Sequence, residues 1–122
     1  MKIFSNAPIK GYKDEDILVP MGEGKEPSSE FRYALRFILN NAPIKTQEDS
    51  KNGMRLAQSI DVAEGKDKVE MEEGVHDWLK IVAEQVTPVL FRINGNIVYK
   101  YICEGFEKPH EPKLKKEENR GN

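Results

Sequence analysis

Apolar residues recur every three or four positions along most of the chain, which is the pattern of amphipathic helices. A first helix is predicted to begin at Ser28 or Ser29, which are good N-caps, and to end before Pro43. Its apolar stripe consists of Phe31, Ala34, Leu35, Ile38 and Leu39. Because these positions share one side of a helix, we expect that side to face the core.

The next two apolar stripes predict a second and a third helix. Thr46 and Asp49 form a capping-box pattern at the start of the second helix, and Gly65 is a suitable C-terminal stop. The third helix is predicted over about Glu72–Val86, with Pro88 following it. The two apolar faces consist of Met54, Leu56, Ala57, Ile60 and Ala63, and of Val75, Trp78, Leu79, Val82 and Val86.

The last apolar stretch of the chain allows two interpretations. Asn94-Gly95 between apolar runs is a strong hairpin signal, and the hairpin would cover 89–103. Against it, apolar side chains recur at helical spacing at Ile97, Val98, Tyr101, Ile102 and Phe106. We favour a short helical turn at 88–93 and a fourth helix over 97–106, and keep an α+β fold with the hairpin as the alternative.

The two ends of the chain lack a helical pattern. Residues 1–28 hold short apolar runs between polar and Gly/Pro-rich segments, which predicts an extended arm or a short β-hairpin. The arm packs either on its own domain or on a neighbouring subunit. In the connector before the third helix, Val69 and Met71 alternate with charged residues, so a very short strand is an alternative there. Residues 107–122 are mainly Pro, Lys and Glu and are predicted to form a disordered charged tail.

The composition is that of one folded domain between these ends. The chain has 122 residues, of which 38% are hydrophobic and 33% charged, and its net charge is only −2. Disorder usually combines low hydrophobicity with a large net charge, so the middle of this chain is expected to fold. The predicted fold is mainly α: a compact bundle of about four short helices over 29–106, preceded by the arm and followed by the tail.

Charge and cysteine content narrow the classes of partner and the location. A net charge of −2 gives no long-range attraction to phosphate backbones, so nucleic acid is not an expected partner. No apolar run approaches 18 residues, so we expect no membrane partner. The N-terminus lacks the apolar segment of a signal peptide, and a single cysteine, Cys103, forms no internal disulfide. These features predict a cytoplasmic protein.

No residue pattern in the sequence supports catalysis or a cofactor. His76 and His110 each stand three residues after a glutamate, and two such pairs are half of a di-iron bundle site. The second pair contains Pro109, which keeps it out of a helix, and we expect His76 to face solvent. Cys103 is interpreted as a half-buried structural thiol. We therefore predict no catalytic residue, no metal site, no cofactor and no enzymatic activity.

An aromatic side of the first helix is the candidate interface. Tyr33 and Phe37 are four residues apart and lie off the apolar stripe, beside Arg32 and Arg36. Aromatic residues with arginine are typical of interface cores. The alternative is that the apolar residues of the arm cover Tyr33 and Phe37. The predicted interface residues are Phe4, Leu18, Arg32, Tyr33, Arg36 and Phe37.

The arm at 1–28, the core from Phe31 to Phe106 and the charged tail together resemble the small accessory proteins that tailed bacteriophages encode. The most distinctive strings are Val75-His76-Asp77-Trp78-Leu79 and Gly105-Phe106-Glu107-Lys108-Pro109. The resemblance is one of general character. It implies a single helical domain with a flexible arm and a charged tail, and it carries over no site residues.

Three functions are compatible with these patterns. The favoured one is a non-enzymatic protein-interaction or assembly protein, for example a phage accessory protein, whose partner is another protein or a second copy of itself as a homo-oligomer. The second is a small transcriptional or nucleic-acid-binding regulator, which requires the arginines to converge on one surface. Those arginines are Arg32, Arg36, Arg55 and Arg92. The third is a metal-dependent enzyme, which requires Glu73 and His76 to meet a second acidic cluster.

Overall fold

A computed structural model describes residues 1–106 of the chain, which fold as a mainly helical protein with a short antiparallel sheet. The elements are β1 (Lys2–Ser5), α1 (Phe31–Asn40), α2 (Gln47–Val62), β2 (Lys68–Met71), α3 (Glu73–Phe91), a 3₁₀ turn (Arg92–Asn94) and α4 (Gly95–Glu104). The mainly α class is thereby confirmed. The tail predicted for 107–122 lies outside the described residues.

The segment around Asn94-Gly95 forms a helical hairpin, and the alternative of a β-hairpin at 89–103 is wrong. After the 3₁₀ turn, α4 packs back along α3. A Cβ atom on Gly95 would lie 2.7 Å from the carbonyl oxygen of Thr87, so only glycine allows this close approach of the two helices. The described helices therefore form three units, namely α1, α2 and the α3–α4 hairpin, where the sequence predicted about four separate helices.

Helix α3 is longer than predicted because it continues through Pro88 to Phe91. A proline inside a helix removes one backbone donor and crowds the preceding turn. Here Pro88 is in the last turn of α3, so the disturbance is confined to the end of the helix. The predicted separate helical turn at 88–93 is consequently part of α3 and the 3₁₀ turn.

The two N-termini differ in how well the sequence located them. The capping box of α2 is confirmed: the Asp49 amide donates to Thr46 Oγ1 at 3.0 Å, and the Thr46 amide donates to Asp49 Oδ2 at 3.2 Å. The predicted start of α1 at Ser28 or Ser29 is slightly early, since Glu30 is the N-cap. Ser28 is instead held in extended backbone by a bridge to Val19.

The first thirty residues lie against the helices of the same chain. β1 pairs antiparallel with β2, and Phe4 is opposite Val69. The very short strand considered in the connector is therefore present as β2, whereas no strand pairing joins the two apolar runs of the arm to each other. The arm contributes four side chains to the common core, which are Phe4, Ile9, Ile17 and Val19.

Phe4 is the side chain that joins the sheet to the helices. Its ring centroid lies 5.2 Å from that of Phe31 on α1, 5.6 Å from His76 on α3 and 5.9 Å from Tyr101 on α4. The ring is completely buried. Removing it would leave a cavity bordered by four elements, none of which can move in without losing its other contacts.

We expect Phe4→Ala to lower the free energy of unfolding by about 3–5 kcal/mol, because it deletes a buried aromatic ring and leaves a cavity. Denaturant unfolding followed by circular dichroism measures this change. The control is Leu18→Ala, which truncates an exposed apolar residue of the same arm and should change the value by less than about 0.5 kcal/mol. Equal effects of the two substitutions would contradict the assignment of Phe4 to the core.

Candidate protein-interaction surface

The structure separates the predicted interface residues into different environments. Phe4 is in the centre of the core, so its prediction as an interface residue is wrong: the period-two alternation of β1 turns it inward. Leu18 is exposed at 55% of its surface, between the buried side chains of Ile17 and Val19. Of these two arm residues, only Leu18 is accessible to a partner.

Arg32 and Tyr33 belong to a hydrogen-bonded network at the start of α1. Arg32 Nε donates to Glu30 Oε1 at 2.9 Å, and Arg32 Nη2 donates to Tyr33 Oη at 2.7 Å. Asn6 Nδ2 also donates to Glu30 Oε1, at 3.0 Å. The hydrogen bond from Arg32 holds the pKa of the Glu30 carboxyl below its usual range. The Arg32 side chain is only 12% exposed, so this network ties the arm to α1.

Arg36 and Phe37 also have partners within the chain. Arg36 Nη2 donates to Asp61 Oδ1 at 2.6 Å, which links α1 to the end of α2. Phe37 is half-buried and packs edge-on against Phe91 at 5.6 Å between ring centroids. α3, rather than the arm alone, therefore covers part of this side of α1. A role for Arg32, Tyr33, Arg36 and Phe37 in binding a partner stays a prediction.

Large exposed aliphatic side chains occur instead on the outer face of α3. We use this name for the solvent-facing side formed by Asp77, Ile81, Gln85, Val89 and Arg92, all of which are exposed. Ile81 is 61% exposed and Val89 72% exposed, and Ile93 in the following turn is also 72% exposed. The opposite side of α3 is buried along its length. The face is therefore apolar in its middle and charged at both ends.

The sequence contains a signal for this face that the helix prediction missed. Ile81 and Val89 are eight residues apart and share one side of a helix only if the helix continues through Pro88. Ending the helix at Val86 placed Val89 in another element. The buried stripe was found, but the second apolar stripe beside it was not.

Arg92 at the end of this face has an unusual backbone conformation. Its φ is 57° and its ψ is −126°, a combination that glycine tolerates and other residues adopt at a cost of roughly 1–3 kcal/mol. The side chain is exposed, and among residues 1–106 it makes no ion pair. Strain of this kind is often retained where the side chain is needed for function.

The arm reaches the same end of α3. The Tyr12 amide donates to Asn94 Oδ1 at 3.1 Å, so the side chain of Asn94 binds the arm and does not cap α4. Tyr12 is itself 56% exposed. An aromatic side chain is thus held beside the turn that carries Ile93.

His76 is buried, which corrects the expectation that it faces solvent. Its Nε2 lies 2.7 Å from the carbonyl oxygen of Ile102 on α4, and its Nδ1 is buried without a hydrogen-bond partner in residues 1–106. A carbonyl accepts only, so Nε2 donates and the neutral ring leaves Nδ1 unprotonated. Burial is the main cause that lowers the pKa of His76, and the charges of Lys80 and Lys2 lower it further.

The remaining candidate chemistry is dispersed over the described part of the chain. Glu73 is exposed while His76 points into the core, and no group of three or more His, Cys, Asp or Glu residues in 1–106 could hold a metal ion. The second Glu–His pair, which includes His110, lies outside the described residues. Cys103 is half-buried, as predicted. No described helix has the length and apolarity needed to cross a bilayer.

Comparisons with known proteins leave the surface as the main guide to function. No protein-family model matches the chain, and no curated protein or solved structure matches it significantly. The resemblance to accessory proteins of tailed bacteriophages stays a prediction from the sequence. The function is therefore argued from the outer face of α3.

We expect the free energy of unfolding to decrease as the pH falls from about 7 to about 5. The pKa of His76 is lower in the folded chain than its unfolded value of about 6.5, so in this range the unfolded state binds the proton more strongly. The contribution of His76 is complete above pH 6.5 and is lost, at no more than about 1.4 kcal/mol per pH unit, until the pH falls below the folded pKa.

The control for this pH dependence is His76→Gln, which keeps an amide donor near the Ile102 carbonyl but does not titrate in this range. Chemical unfolding at a series of pH values measures both chains. The difference between their stabilities should depend on pH between 7 and 5. A constant difference would show that His76 does not titrate differently in the folded and unfolded states.

We expect Arg92→Gly to raise the free energy of unfolding by about 1 kcal/mol, because glycine adopts a φ of 57° without a Cβ clash. The gain is smaller than the strain itself since glycine also increases the entropy of the unfolded chain. Thermal and denaturant unfolding measure it. Arg92→Ala removes the same side chain but retains the strained backbone, so a similar gain in both variants would count against strain as the cause.

Proposed function

We propose that this chain is a non-enzymatic protein-interaction or assembly protein of the cytoplasm, which binds a protein partner through the outer face of α3. The observation that carries the proposal is the exposure of Ile81, Val89 and Ile93 on and beside one helix. Single exposed aliphatic residues are common on proteins, but a contiguous apolar patch with a polar rim is typical of a binding surface.

The helix that carries this surface is well suited to docking. α3 has 19 residues and is buried along its other side, where Trp78, Leu79 and Val82 pack into the core. A helix held in this way loses little conformational freedom when it binds, which favours association. The charges at the two ends of the face supply the polar rim that interfaces usually have.

The arginines support this proposal over a nucleic-acid-binding regulator. Arg32 pairs with Glu30, Arg36 with Asp61, and Arg55 lies 3.8 Å from Glu72. An arginine that already has a carboxylate partner has less capacity to neutralise a phosphate. Since the three carboxylates lie on different parts of the fold, we do not propose the nucleic-acid function.

Site-specific cross-linking tests the proposed function. A photo-reactive phenylalanine derivative replaces Ile81 in the full chain, expressed at its natural level in its native cells, and adducts are identified by peptide mass spectrometry. We expect a discrete protein adduct, because a residue in a docked helix face lies within contact distance of its partner. The same probe at Met54 is the control, since Met54 is equally exposed (58% against 61%) but lies on α2. No adduct from Ile81, or the same adducts from both positions, would contradict the proposal.

A further inference from the structure

We propose that the partner is a second copy of this chain, with the two outer faces of α3 packed antiparallel across a two-fold axis near Gln85. This inference rests on the proposed function and specifies its partner. A two-fold interface brings the same patch of both subunits together, so the patch must be complementary to itself when it is reversed.

The order of residues along the outer face has this property. Reversing the face about Gln85 places Ile81 of one copy against Val89 of the other, and the same contact is repeated on the other side of the axis. The apolar middle of the face therefore meets an apolar middle. The two Gln85 side chains meet at the axis, where each amide can donate to and accept from the other.

The charges at the ends of the face are complementary in the antiparallel arrangement. Reversal brings Asp77 to within one residue of the position opposite Arg92, a difference that the long arginine side chain can span. The carboxylate of Asp77 is 72% exposed, and its recorded ion pair is with Lys80 at 3.6 Å. A parallel arrangement would place Asp77 against Asp77 and Arg92 against Arg92, so electrostatics select the antiparallel one.

The backbone of Arg92 is an independent observation in favour of a role for its side chain. Arginine occupies a conformation that suits glycine, and among residues 1–106 its guanidinium has no ion-pair partner. The strain is not compensated by a contact within the described part of the chain. A carboxylate on a second copy supplies the missing partner.

The size of the surface predicts a weak dimer. A stable interface usually buries about 800 Å² on each partner, which is more than the middle of one helix face provides. Ile93 and Tyr12 extend the apolar area at the Arg92 end, and both are exposed. We therefore expect a dissociation constant in the range of about 1–100 µM, so that the dimer forms reversibly.

A charge exchange tests the arrangement in the full chain. Sedimentation equilibrium from about 1 µM to about 1 mM measures the dissociation constants of the wild type, Asp77→Arg, Arg92→Asp and the double variant. Each single substitution places like charges opposite each other twice per dimer and should weaken dimerisation at least about tenfold. The double variant restores opposite charges and should return to within about threefold of the wild type.

Two further variants separate the apolar middle from general effects. Ile81→Glu should abolish the dimer up to about 1 mM, since it buries two carboxylates close together at the centre of the interface. Met54→Glu is its matched control on α2 and should leave the dissociation constant unchanged. Circular dichroism and thermal unfolding establish that each variant is folded, which is expected because all these positions are exposed.

The possible outcomes distinguish this inference from the function on which it rests. A wild-type chain that is monomeric at about 1 mM overturns the inference, as does a dimer that Ile81→Glu leaves intact. Single variants that weaken the dimer without rescue in the double variant overturn the antiparallel pairing. If the Ile81 cross-link identifies a different protein, the dimer is rejected and the proposed function remains. If Ile81 gives no adduct in native cells, the proposed function fails as well.

Discussion

The close approach of α4 to α3 at Gly95 is the constraint on which the other features depend. Because Gly95 has no side chain, the two helices can pack together immediately after a three-residue turn. The hairpin then brings the Ile102 carbonyl to His76 at the other end of α3. It also buries one side of α3 completely, which leaves the opposite side as an unpartnered helical face.

Phe4 connects this hairpin to the rest of the fold. Two strands of four residues are too short to be stable alone, so the sheet depends on the side chains that β1 and β2 bury. The ring of Phe4 contacts α1, α3 and α4 together, and the Asn6–Glu30–Arg32 network fastens the next part of the arm to α1. The N-terminal segment is thus part of the common core, and most of the chemistry considered from the sequence serves to hold it there.

The outer face of α3 contrasts with this well-satisfied interior. Arg32 and Arg36 are bound by carboxylates of their own chain, whereas Arg92 retains a strained backbone and makes no ion pair within residues 1–106. Ile81 and Val89 likewise lack the neighbours that apolar side chains acquire in a core. Features that reduce the stability of the isolated chain and coincide on one face are more readily explained by binding than by folding.

The sequence alone determined the features that depend on local contacts. The capping box of Thr46 and Asp49 and the buried stripes of α1 and α3 follow from spacings of three and four residues. The tertiary structure alone decided that Asn94-Gly95 forms a helical hairpin, that Phe4 is buried and not at an interface, and that α3 extends to expose Val89. The physical reason is that a sequence period shows which side chains share a face of one element. Which of those faces is covered depends on distant segments, and their positions are established only by packing.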